Sequence, residues 1–140
     1  MKTLCAALLI FFGLASAALA QSPTQCLVPA NAGATPVVSA SLESGHVLKA
    51  GPGCILSGYV TIDSTSVGWL MLFNSKTVPA DGAVTPQDCV YITTNPGSIG
   101  LNWAPLPPEW FSTGISAAFS STGCFTKTAS AHAYFHALVQ

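Results

Sequence analysis

The chain reads as short apolar runs separated by turn residues. CILSGYVTI (54–62) mixes β-branched and aromatic residues, as a half-buried strand does. GWLMLFN (68–74) is apolar at consecutive positions, which predicts a central strand buried on both faces. CVYIT (89–93) and Ser98 to Trp103 predict two more strands. Val37 to Leu42 and His46 to Ala50 flank Glu43-Ser44-Gly45 and predict a hairpin or two short strands. Gly114 to Ser120 and Cys124 to Thr128, divided by Ser-Thr-Gly at 121–123, carry a hairpin signal.

Punctuation supports these boundaries. Gly51-Pro52-Gly53 places a fixed φ between two residues that tolerate positive φ. Within the long irregular stretch from Ser75 to Asp88, Val78-Pro79-Ala80-Asp81-Gly82 fits a type I turn. Asn95-Pro96-Gly97 marks another turn, and Pro105, Pro107 and Pro108 forbid regular ladder pairing across their span. The closing segment, Ser130 to Val139, fits two periods. As a strand it places Ala131, Ala133, Phe135, Ala137 and Val139 on one face and His132, Tyr134, His136 and Leu138 on the other. As a helix it would stack Ala131, Tyr134, Phe135 and Leu138, and alanine favours that form. The strand-like context before it favours the strand. About eight strands with Gly and Pro punctuation predict an all-β fold, an antiparallel β-sandwich of jelly-roll-like type.

The N-terminus changes the compartment. Met1-Lys2, the apolar stretch from Leu4 to Leu14 and the small-x-small end Ala18-Leu19-Ala20 follow the grammar of a secretory signal cleaved after Ala20. The expected organisation is a signal peptide over 1–20, an extended Pro/Ala/Asn-rich arm over 21–36 and a β-sandwich over 37–140. Cys5 is lost with the signal. The mature chain is expected to be secreted or periplasmic, and no later segment is long enough to span a bilayer. Cys26, Cys54, Cys89 and Cys124 remain, an even number in a small exported chain, which predicts two disulfides. Four cysteines admit three pairings, and the residues alone leave all three open. No C-x-x-C pair is present, which argues against structural zinc.

Charge narrows the partners. Only 6% of the 140 residues are charged, arginine is absent and the formal net charge is −1. Lys2 lies in the signal, so the mature chain is one unit more negative. A chain so poor in cations lacks the footprint for phosphate backbones, and nucleic acid is excluded as a partner. A polybasic membrane-surface binder is excluded on the same ground.

Candidate chemistry is sparse. His132 and His136 would share one face of a helix, but on a strand they stand about 13 Å apart, too far to share an ion. Asp63, Asp81 and Asp88 fall in loops without calcium-loop spacing, and Glu43 and Glu109 are isolated in sequence. There is no G-x-S-x-G and no phosphate-binding glycine loop. Neither a metal nor a cofactor is expected. Trp69, Trp103 and Trp110 remain, with core packing the first expectation for each. Trp110, in the proline-rich run, is best placed for exposure, and Trp103, Trp110 and Tyr134 are the candidate ligand contacts.

Several segments together carry a resemblance. HVLKAGPG (46–53), GWLMLFN (68–74), VPADGAVTP (78–86), FSTGI (111–115) and FSSTGCFTKTASA (119–131) look like a group of small, mostly uncharacterised bacteriophage, prophage and proteobacterial proteins. The resemblance covers about residues 46 to 140. It implies a compact β-sandwich with a virion-associated or surface-structural role and brings no catalytic residues. The export signal departs from a virion protein and favours an exported bacterial relative. The preferred bridges are Cys26–Cys54, because the arm precedes the turn before Cys54, and Cys89–Cys124, because both begin strands late in the matched region. Three functional readings follow: a non-catalytic structural or interaction module meeting a protein or surface glycan, with a homo-oligomer also admitted; a carbohydrate-binding module; and a small hydrolase using loop carboxylates or His132 and His136.

Overall fold

The computed structural model describes Cys26 and residues 33–63, 66–93, 98–101 and 108–140, with 98–101 described through its backbone. The expected signal and most of the arm, and Trp103, lie outside the described residues. The strands are β1 (Thr35–Val38), β2 (Gly45–Lys49), β3 (Gly53–Ile62), β4 (Gly68–Asn74), β5 (Gly82–Ala83) and β6 (Asp88–Ile92). They continue with β7 (Ser98–Leu101), β8 (Glu109–Phe111), β9 (Ile115–Ser120), β10 (Thr126–Lys127) and β11 (Ala133–Val139). The closing segment is therefore the strand, and β1 opens at Thr35, two positions earlier than expected.

Every pairing is antiparallel. One sheet runs β1-β11-β3-β7, and β8 also pairs with β3. The second runs β2-β9-β4-β6, and β10-β5 form a separate ribbon. β7 pairs with Gly58 to Thr61 and β8 with Gly53 to Ile55, so β7 and β8 share one position beside β3. Counted that way, each main sheet has four positions, and the chain crosses between sheets at nearly every connection. This is jelly-roll order, with the ribbon added to it.

The core lies between the sheets. Ile55, Val60 and Ile62 of β3 and Ala133, Phe135, Ala137 and Val139 of β11 meet Leu70 and Leu72 of β4 and Ala117 and Phe119 of β9. Phe111, Phe119 and Phe135 are fully buried and set much of the core volume. The period-2 alternation is what makes this possible: Tyr59 is exposed between Gly58 and the buried Val60. A register shift between Leu138 and Val139 moves the pairing from Ser57 to Ile55 and keeps Ile55 in the core.

The segments flanking Glu43 to Gly45 form the two short strands rather than a hairpin, and the hairpin expected at 114–128 does not form. β1 pairs with β11 and β2 with β9, so the segments flanking Glu43 to Gly45 lie in different sheets. β10 pairs with β5 rather than β9. The reason is edge availability: β9 is a central strand whose two sides are taken by β2 and β4, leaving no ladder for β10. A single bridge from Ser120 to Ala129 marks where the two segments part.

β4 is buried on both faces, as its composition predicts. Leu70 and Leu72 face the core, while Met71 and Phe73 form a second cluster with Ala118 on the outer side. Trp69, Val78, Val84 and Cys89 pack against that cluster. Residues 75–87 and the ribbon thus roof the outer face of this sheet. A Cβ added to Gly45 would lie 2.7 Å from Val78 Cγ1, a measure of how tightly that roof meets β2.

Two disulfides join Cys26 to Cys54 and Cys89 to Cys124, the preferred pairing. The first ties the arm to the start of β3; the second ties the turn before β10 to β6. Each closes a long loop and is typically worth about 2–4 kcal/mol. Intramolecular bridges of this kind are typical of extracellular or periplasmic proteins. Among the described residues no helix is long and apolar enough to cross a membrane.

The core assignment yields one quantitative expectation. Phe119→Ala should lower unfolding free energy by about 3–5 kcal/mol, because the rigid sheets cannot collapse onto the void. Urea titration of the oxidised protein reads this as a lower midpoint at constant slope; a change under about 1 kcal/mol would contradict the placement of Phe119.

Candidate functional site

The two sheets treat their outer faces differently. On the β1-β11-β3-β7 sheet, alternation turns Val38 of β1, Tyr59 and Thr61 of β3, and Tyr134, His136 and Leu138 of β11 away from the core. The register places Tyr134 opposite Thr61, His136 opposite Tyr59 and Val38 opposite His136. Val38 and Tyr59 are 42% and 41% exposed. Tyr134, His136 and Leu138 are half-buried.

The centre of this face is a stacked pair. The Tyr59 and His136 rings lie 4.6 Å apart with an interplanar angle of 13°. Such a cross-strand aromatic pair fixes both rings upright on the sheet. His136 Nδ1 is buried and makes no hydrogen bond. None of these outward positions on β1, β3 and β11 is Asp, Glu, Lys or Arg.

Of the ligand contacts expected from sequence, Tyr134 lies on this face beside the Tyr59–His136 pair. Trp110 pairs across from Cys54 at the far end of β3 and is half-buried, less exposed than its proline-rich surroundings suggest. Trp69 is on the opposite sheet, partly buried against the Met71 cluster and 4.8 Å from the Tyr91 ring. Sequence reasoning passed over Tyr59 and His136 as a pair. Each was legible as an outward residue by parity, but the register that joins them is not written locally.

The ionisable groups are dispersed. His132 Nδ1 is 2.5 Å from Asp63 Oδ2, and His46 Nδ1 is 2.8 Å from Glu43 Oε1. These contacts join the ends of elements that meet at Ala133. Lys127, 4% exposed at its side chain, pairs with Asp81, which also accepts from the Ala129 amide. The bond to Lys127 and then that amide bond hold the Asp81 carboxyl below the usual carboxylate range. Among the described residues no three His, Cys, Asp or Glu side chains group as metal ligands do.

A pocket of about 480 Å³ lies under the roof of the second sheet, lined by Phe73, Asn74, Val84, Pro86 and Gln87 among others. The side-chain amides of Asn74 and Gln87 are committed. Asn74 accepts from the Thr113 amide and donates to Ser112, while Gln87 donates to Glu109 Oε1 and to the Trp110 carbonyl. Burial pushes the Glu109 carboxyl up, the Gln87 bond offsets part of this, and the charge of Asp88 adds to it. Glu109 Oε2 is buried and unpartnered.

No described protein family, curated protein or solved structure matches the chain.

A raised folded-state pKa means the native protein holds its Glu109 proton to higher pH than the unfolded chain. Stability contributed by this group is therefore greatest in acid and falls as pH rises from the ordinary glutamate range through the raised value. Glu109→Gln should flatten that fall and be more stable than the parent at neutral pH, measured by urea unfolding across the range. An unchanged pH slope in the variant would remove Glu109 as its source.

Proposed function

We propose that the chain is an exported, non-catalytic interaction module of a cell-surface or phage-derived assembly, with the β1-β11-β3-β7 face as its contact surface. The observation that carries this is the stacked Tyr59–His136 pair on an uncharged outer face, with Val38 and Tyr59 exposed and Tyr134 beside them. Residues 75–87 and the ribbon cover the Met71 cluster on the other sheet, where Tyr91 and Phe125 stay exposed. Apolar and aromatic side chains left together on one side of a small domain are characteristic of binding surfaces. The jelly roll itself hosts capsid and lectin domains alike, so the fold is compatible with this reading without choosing the ligand.

The export grammar at 1–20 and the two disulfides support a secreted or periplasmic location. A carbohydrate-binding role is a second reading, favoured by Tyr134 lying beside the Tyr59–His136 stack.

Co-sedimentation of the oxidised protein with envelope fragments of the cells that produce it tests the module. Retention is expected, and Val38→Asp with Tyr59→Asp should weaken it about tenfold or more by placing charges on an uncharged face. Circular dichroism and the thermal midpoint confirm that the variant is folded. Absence of retention, or equal retention of the folded variant, overturns the proposal.

A further inference from the structure

We propose that the Cys89–Cys124 bridge is a redox clasp: its reduction frees the β5–β10 ribbon from the margin of the second sheet and uncovers Met71, while the sandwich stays folded. The buried apolar residues fall into two separate clusters. The larger lies between the sheets. The smaller is Met71, Phe73 and Ala118 on the outer side of the second sheet, with Val78, Val84 and Cys89 packed against it. The two bridges divide between these clusters. Cys54 stands in β3, 1% exposed, and exchanges backbone bonds with Gln140 at 2.9 and 3.0 Å. Cys89 packs on the smaller cluster and bonds to the turn before β10.

The roof is fastened unevenly. On the β9 side, Ser120 Oγ accepts from the Thr128 amide at 3.0 Å and donates to the Thr126 carbonyl at 3.3 Å, and Ser116 Oγ donates to the Thr77 carbonyl. The Val84 amide bond to the Phe125 carbonyl, the Lys127–Asp81 pair and the Ala129 amide bond to Asp81 join roof segments to one another. At β6, the edge of the sheet, no ladder among the described strands holds the ribbon, and the Cys89–Cys124 bond makes the attachment. The ribbon pairs through two residues on each strand, too few to keep its shape unaided. Opening this one bond leaves the ribbon hinged at β9 and loose over Met71, a local opening that leaves the core between the sheets intact.

The bridge is also within reach of a reductant. Cys89 and Cys124 are half-buried, and Cys124 lies between the exposed Thr122 and Phe125. Exposure of this kind separates a labile bridge from a structural one. The agent is a dithiol, whose thiolate attacks one sulfur of the bridge and breaks the S–S bond to give a mixed disulfide. The second thiol of the agent then expels the attached sulfur. The dithiol is thereby oxidised to a disulfide, and Cys89 and Cys124 become thiols carrying its two hydrogens. Met71 reports the opening, because it is fully buried in the closed form and is the only methionine after Met1.

Graded dithiothreitol treatment of the oxidised protein, quenched with iodoacetamide and mapped by mass spectrometry, tests the clasp. Cys89 and Cys124 should be alkylated at a reductant concentration about tenfold below that needed for Cys26 and Cys54. In protein alkylated at that pair alone, hydrogen peroxide should convert Met71 to its sulfoxide about tenfold faster than in the closed form. Amide exchange at Val84 and Ala129 should quicken, while Ser39 and Cys54 stay protected and the circular dichroism is kept. Cys89→Ser with Cys124→Ser should reproduce this open state without reductant or adduct. Reduction of Cys26–Cys54 as early as Cys89–Cys124 overturns the inference, as does loss of protection at all four amides together in either open form. Met71 oxidising no faster in the alkylated protein and the serine variant than in the closed form overturns it too.

Discussion

The insertion of β11 between β1 and β3 is the constraint on which the rest of the molecule depends. It supplies β1 with its partner, extends the ladder along β3, and ends with reciprocal bonds between Gln140 and Cys54 at 2.9 and 3.0 Å. It also brings Phe135 into the core and His136 against Tyr59. Without it, β1 and β3 would leave a row of backbone donors and acceptors unmatched. The partners of β11, strands β1 and β3, lie far back along the chain. Such non-local topology is intrinsically slow to fold.

The second sheet solves a different problem. β4 is apolar on both sides, and a strand of that kind needs cover twice. The core covers Leu70 and Leu72; residues 75–87 and the β5–β10 ribbon cover Met71 and Phe73. The roof is held by the Cys89–Cys124 bridge, by Ser116 donating to the Thr77 carbonyl at 3.0 Å, and by the Lys127–Asp81 pair. A buried ammonium is tolerated because its partner carboxylate is adjacent, and that pairing in turn fixes the ribbon's position. Scarce charge in this chain is thus used to hold its own surface segments, which leaves the opposite face uncharged.

Much of the fold was legible from local pattern. Strand positions, the double burial of β4 and the inward parity of the closing strand follow from side-chain alternation, which a single strand encodes by itself. Partner choice was not legible. The segments at β9 and β10 read as a hairpin because they are adjacent and separated by a turn, yet both sides of β9 were already claimed by β2 and β4. The site divides in the same way. Tyr134 was identifiable as an outward aromatic, whereas the Tyr59–His136 stack exists only because β3 and β11 pair in one register. Trp110 shows the converse, since its proline-rich context suggested exposure and its pairing opposite Cys54 half-buries it.

By itself the sequence determined the all-β class, the oxidised pair of bridges as an expectation, and which residues along each strand face inward. These are properties of neighbouring positions and of chemistry carried within a few residues. Tertiary structure decided which strands meet, which outer face is roofed, and which aromatic rings stand together. Those outcomes depend on competition among distant edges for a limited number of partners, and no local stretch of chain contains the result.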